Sequence, residues 1–270
     1  MSSPFIITLS GKGSDGGDVS LRDFLTQLEA IKAYLNDIDS YLADTKTPNL
    51  EYRIVGLSMN SPAKIELEAV VIERKNLELN PQHISEVFLK SIQTMKQINA
   101  AQRPDFPTSD LIDIGEKLSA PLNRGLTHCY INFKEDSAEI DQKLSEKIES
   151  ILGKDLIERN NIRGNLESIN IHGKYEFTIY PIIGAKKVKC AFNPNLFETV
   201  QLGLNRFVEA YGELHTKKFE SFPHFANITE LKILPQQNDI PKLSEMGGMF
   251  KDAYDGKSIK EHLAEMRDGW

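Results

Sequence analysis

The stretch that decides the fold is Arg163–Leu234, RGNLESINIHGKYEFTIYPIIGAKKVKCAFNPNLFETVQLGLNRFVEAYGELHTKKFESFPHFANITELKIL. Short apolar runs broken by Gly, Pro and Asn predict five strands. They fall near Gly164–Ile171, Tyr175–Ile182, Lys187–Phe192, Arg206–His215 and Ala226–Leu234. Asn193-Pro194 opens one short helix, Asn195–Leu204, between the third and fourth strands. Gly173, Gly184 and Gly212 sit where tight turns, bulges or close packing suit a small curved sheet.

The order β-β-β-α-β-β resembles that of an OB-fold barrel, on topology and length alone; small SH3-like barrels give a similar pattern. The OB resemblance implies a binding module, whose ligand meets the face of strands 2 and 3 and the loops joining strands 1–2 and 4–5. Lys186, Lys187 and Lys189 cluster at the second hairpin of the expected barrel. Lys217 and Lys218 lie beside Phe219 and Phe222 before its last strand. Tyr175, Phe177 and Tyr180 lie on its second strand. Basic groups near aromatics suit single-stranded nucleic acid, with phosphates neutralised and bases stacked. The competing reading is that Phe177 and Phe192 are core and the lysines keep a surface soluble.

Upstream, Phe5–Leu9 reads as a strand, followed by the Gly-rich run Gly11-Lys12-Gly13-Ser14-Asp15-Gly16-Gly17. A helix then starts at Ser20, with Asp23 in capping-box position. Its apolar residues, Leu21, Phe24, Leu28, Ile31, Leu35, Ile38 and Leu42, recur at steps of three and four. This stripe is expected to pack on a sheet; pairing with a copy of itself would make a homo-oligomer. Asp37 and Asp39 read as a solvated helix face. Strands are expected at Glu51–Met59 and Lys64–Ile72, a helix at His83–Ala101, a shorter helix at Ser109–Leu118 ending before Pro121, a strand at Leu126–Phe133 and a helix at Asp136–Leu152. Lys154–Ile162 reads as a polar boundary.

The expected architecture is therefore α+β: an N-terminal mixed α/β layer unit (1–153), a small OB-like β-barrel (163–235) and a tail (236–270) ending in an amphipathic helix. Ile259, Leu263, Met266 and Trp270 share one face of that helix. They are the expected contacts to a protein partner, unless the helix folds back on its own chain. A binding domain with a terminal partner-binding helix resembles the layout of many bacterial antitoxins and adaptor subunits.

The chain of 270 residues is 40% hydrophobic and 26% charged, with net charge −7. Arg163–Leu234 holds nine Lys or Arg against seven Asp or Glu, so the expected barrel carries +2 and the remainder −9. No run approaches the roughly 18–20 apolar residues of a membrane helix. The start Met1-Ser2-Ser3-Pro4-Phe5 lacks a basic and then apolar leader, and Cys129 and Cys190 stand alone. Together these lead to the expectation of a cytoplasmic protein away from membranes.

No catalytic signature is visible. Gly11–Gly16 matches GxGxxG, but Asp15 and Asp18 would repel a pyrophosphate and no acid-ended second strand follows. The six histidines, His83, His128, His172, His215, His224 and His262, form no metal-ligand spacing. His128 and Cys129 are strand neighbours and point to opposite faces. No cofactor and no metal are expected. The sequence thus reads as a non-catalytic adaptor, regulatory or neutralising subunit binding a protein. Its alternatives are a single-stranded nucleic-acid-binding protein using the barrel and a nucleotide-dependent enzyme using the Gly-rich loop.

Overall fold

The structure, a computed structural model, describes residues 3–12, 18–45, 47–58, 60, 62–72, 82–183, 187–218, 220–235 and 259–268. It is an α+β protein with two sheets. Gly13–Gly17, Lys186, Phe219, Trp270 and the Ile259 and His262 side chains lie outside the described residues.

The first sheet has the order β2-β3-β1-β4-β5, from β1 (Phe5–Gly11), β2 (Leu50–Ser58), β3 (Ala63–Val71), β4 (Leu126–Phe133) and β5 (Asp136–Ile140). All its pairings are antiparallel. Strict alternation gives it one dry face: Phe5, Ile7 and Leu9 of β1, Ile65 and Leu67 of β3, and Cys129, Ile131 and Phe133 of β4 are buried. Four helices share that core: α1 (Leu21–Leu42), α2 (His83–Asn99), α3 (Thr108–Arg124) and α4 (Leu144–Leu152). Phe88 of α2 stacks on Phe5 with ring centroids 4.8 Å apart and lies 5.1 Å from Phe133. Ser20 caps α1 by accepting the Asp23 N–H at 3.1 Å, as the capping-box pattern implies.

Four local expectations are corrected. The helix expected at Asp136–Leu152 is split, with β5 pairing to β4 and α4 beginning only at Leu144. The hairpin turn uses Lys134 at φ 55°, a left-handed conformation that its residue type does not advertise. The helix expected to stop before Pro121 runs to Arg124 with Pro121 inside it. Lys154–Ile162 is mostly strand, the first half of the 16-residue β6 (Asp155–Asn170). Finally, Asp39 is not solvated but fully buried.

Asp39 sits one turn from the end of α1, where its carboxylate accepts the backbone N–H groups of Asn49 at 2.5 Å and Leu50 at 2.9 Å. Its other oxygen lies 2.6 Å from His83 Nε2, at the first residue of α2. One carboxylate therefore joins the end of a helix, the start of an edge strand and the start of a second helix.

The second sheet has the order β10-β8-β7-β6-β9, with β7 (Glu176–Tyr180), β8 (Val188–Phe192), β9 (Phe207–Lys217) and β10 (Phe225–Ile233). A 3₁₀ turn, Pro194–Leu196, and α5 (Phe197–Leu202) lie between β8 and β9. The Leu234 N–H donates to Phe207 O at 2.9 Å, bringing the end of β10 beside β9. Their approach requires Gly212, where a Cβ would fall 2.0 Å from Asn227 O. Phe177, Ile179, Cys190 and Val208 are buried in this sheet. The final helix is α6 (Ile259–Asp268). No helix among the described residues is long and apolar enough to cross a membrane.

By compactness the chain divides into one unit of residues 1–159, 183–189 and 213–226 and a second of 160–182, 190–212 and 227–270. The ends of β8, β9 and β10 thus belong to the first unit.

Asp39→Ala leaves two strand N–H groups and the His83 ring without their buried acceptor. Its expected cost is about 3–5 kcal/mol, read as a lower urea midpoint at unchanged slope. A loss below about 1 kcal/mol would show that the carboxylate is not what holds this corner.

Candidate functional site: a charged cleft at the start of α3

The connection Arg103-Pro104-Asp105-Phe106-Pro107 leads into α3, and Pro107 stands at its N-cap with no side-chain cap hydrogen bond. Phe106 anchors this turn in the core, edge-on to Tyr41 with ring centroids 5.1 Å apart. In front of it lies a cleft of about 360 Å³, within the first unit. Its polar walls are Arg103, Asp105, Thr108, Ser109, Lys187, Glu220 and His224; Tyr41, Phe106 and Phe222 supply aromatic surface.

The charges around it are matched within the chain. Glu220 pairs with Arg103 and accepts the Thr108 hydroxyl at 2.7 Å. Burial works to raise the Glu220 carboxyl, but the hydrogen bonds from Thr108 and Arg103 outweigh it and hold it below the usual range. Asp110 and Asp113, three residues apart on α3, present their carboxylates together. Lys187 Nζ lies 2.9 Å from Asp110 and 3.3 Å from Asp113, and Lys189 Nζ is 2.5 Å from Asp113. Burial disfavours the Lys187 ammonium, but Asp110, Asp113 and Asp37 overcome it and raise its pKa. Asp37 receives less help. Burial, then repulsion from Asp110, lifts its carboxyl to about 6 despite Lys187 and Lys117.

A second cluster forms at the start of β6. Asp155 lies 2.7 Å from Lys217 Nζ, 3.3 Å from His215 Nδ1 and 3.6 Å from His224 Nε2. Lys217 is buried and also donates to Gly153 O at 2.9 Å. Burial pulls Asp155 upward, but Lys217, His224 and His215 hold it below the usual carboxylate range. Burial dominates the opposite shift of His224, lowering its pKa against the pull of Asp155. His224 Nδ1 is buried with no hydrogen-bond partner among the described residues.

Of the lysines singled out for nucleic acid, Lys187, Lys189 and Lys217 thus all face carboxylates of their own chain. Phe222 lines the cleft and is 43% exposed. Lys218 lies in the turn after β9 and does not line this cleft. Phe177 and Phe192 are core, as the competing reading has it. Of the tail contacts, Leu263 and Met266 are 50% and 56% exposed. His128 is exposed while Cys129 is buried under α1, so the two do face opposite ways. Burial pushes the Cys129 thiol up to about 12 and the Cys190 thiol higher still, so neither is poised as a nucleophile. Among the described residues, no group of three or more His, Cys, Asp or Glu is placed to hold a metal ion. Sequence reading missed Arg103, Asp110, Asp113, Asp155 and Glu220. The one signal for them was the Asp110–Asp113 spacing, which needs the lysines' position in space to acquire meaning. No family model, curated protein or solved structure matches this chain.

Asp37 has a folded-state pKa raised from 3.8 to about 6, so the folded state holds its proton more tightly than the unfolded chain does. Its penalty is absent below the unfolded value, grows as pH rises between the two values, and is complete above the folded one. Asp37→Asn is therefore expected to stabilise the protein by about 1–2 kcal/mol above neutrality and to change nothing in acid below both values. Thermal melts across pH check this; a variant that is less stable at alkaline pH would refute the assigned burial.

Proposed function

We propose that this protein is a non-catalytic binding protein, an adaptor or regulatory subunit that holds a protein partner, with α6 as the first contact. One contrast carries the reading. The cations around the cleft are already matched by carboxylates, whereas Leu263 and Met266 stand exposed, three residues apart on a short helix. A ten-residue helix is marginal alone in water and gains from a groove that covers its apolar side. Ile259 and Trp270 extend the same face in the sequence. A reducing, cytoplasmic setting is part of the proposal, supported by two buried cysteines, neither of them in a disulfide.

The OB-type barrel is also part of this proposal. Taking β6–β10 as strands one to five, their neighbours run 1-2-3-5-4-1 with α5 in the connection from the third to the fourth. That order supports single-stranded nucleic acid as the second reading, through Lys186, Lys187, Lys189, Lys217, Lys218, Phe219 and Phe222. The pairing of Lys187, Lys189 and Lys217 weakens it, because phosphate binding would have to displace Asp110, Asp113 and Asp155. The nucleotide-enzyme reading rests on the loop through Gly13–Gly16, outside the described residues.

Removing residues 257–270 is expected to leave the melting temperature unchanged and to abolish recovery of one stoichiometric partner from nuclease-treated host extract. A truncated protein that melts early would instead mean that α6 docks on its own chain. Binding to single-stranded oligonucleotides, if present, is expected to be weak and insensitive to Lys187→Glu. Tight, steeply salt-dependent binding lost in that variant would reverse the order of the two readings.

A further inference from the structure

We infer that two copies of this chain pair through the edge strand β2, antiparallel and centred on Tyr52, joining their first sheets across a two-fold axis. β2 ends the sheet order, and among the described residues no strand covers its outer edge. The Ile72 N–H donates to Asn49 O at 2.8 Å, and Asn49 extends the register in which Leu50 faces Val71. In an antiparallel ladder the hydrogen-bonding residues alternate, so Glu51 and Arg53 turn their backbone groups toward β3. Leu50, Tyr52 and Ile54 turn theirs outward. Asp39 takes the outward N–H of Leu50 and the β-bulge between Ile54 and Gly56 follows, so 51–54 is the length available for pairing.

Natural edge strands are protected by lysines, prolines or inward charges, yet Ile54 and Val55 here are 54% and 51% exposed. The charges choose the occupant and the register. Glu51 and Arg53 are about 60% exposed on the face opposite the core and lie 3.6 Å from each other in one chain. Centring on Glu51 or on Arg53 would set like charges opposite one another, which destabilises a pair. Centring on Tyr52 sets Glu51 against Arg53 of the second copy, and Arg53 against its Glu51. Because Arg53 already faces Glu68 of β3, the signs then alternate across three strands, Glu68, Arg53 and Glu51 of the second copy. Two backbone bonds close the centre of the ladder, Tyr52 with Tyr52 in both directions; the Leu50 N–H stays with Asp39 and takes no part.

Mass in solution tests this through charge reversal. The wild-type chain is expected to be a dimer in light scattering. Glu51→Arg and Arg53→Glu alone each set like charges opposite in the dimer, and each is expected to run as a monomer with an unchanged circular dichroism spectrum. Mixing the two variants restores opposite charges at both contacts and is expected to return the dimer mass. A monomeric wild type, a dimer that survives either single reversal, or a mixture that stays monomeric would each overturn the proposal.

Discussion

A carboxylate sealed from water, Asp39, carries the N-terminal architecture. An edge strand has a ladder partner on one side only, so the N–H groups at its start have nowhere to donate once buried. Asp39 accepts two of them and meets His83 with its remaining oxygen. This is more than a local repair. It places Leu50 in the core and Tyr52 against Phe88, whose ring also contacts Phe5 and Phe133 at the centre of the sheet. Removing the acceptor would release the edge strand and the first turn of α2 together. Residues in one network of this kind do not contribute independently.

Internal matching of charge recurs at the start of α3, with a different consequence. Asp110 and Asp113 gather Lys187 and Lys189, while Glu220 takes Arg103 and Thr108. Long cationic side chains normally lose rotamer freedom when they meet a ligand. Here that freedom is already lost, and the cations are spoken for. The cleft is a built surface rather than a reservoir of free charge. Asp37 shows the limit of this matching, since it is crowded by Asp110 and its carboxyl rises to about 6.

How legible the fold was depended on whether its signals were local. The helix from Leu21 was readable because its cap, its acid at the third position and its apolar stripe lie within consecutive turns. The β4–β5 hairpin was not. Asp136–Ile140 carries too few residues to separate strand alternation from helical periodicity, and its turn places Lys134 in a left-handed conformation without glycine or asparagine to mark it. Pro121 was read as a stop, but the Gly125 N–H still reaches the Pro121 carbonyl and the helix continues around it. The first half of β6 looked like a linker because Glu158, Arg159, Asn160 and Asn161 are polar. They are exposed strand residues, with Arg159 paired to Glu213 on β9.

By itself the sequence determined the α+β class, the capped helix α1, the alternation that gives the first sheet one dry face, and the strand-rich pattern of Arg163–Leu234. Each follows from periodicity and backbone preference over a few neighbouring residues. Tertiary structure alone decided which charges are buried and what they meet. Asp37 and Asp39 lie two residues apart on one helix and look equivalent in the chain, yet one binds a strand start and a histidine while the other is crowded by acids. Lys187 and Lys189 read as free cations until folding brought α3 beside them, 74 to 77 residues away in the sequence. Burial and long-range pairing are properties of position in space, and no short window of sequence encodes them.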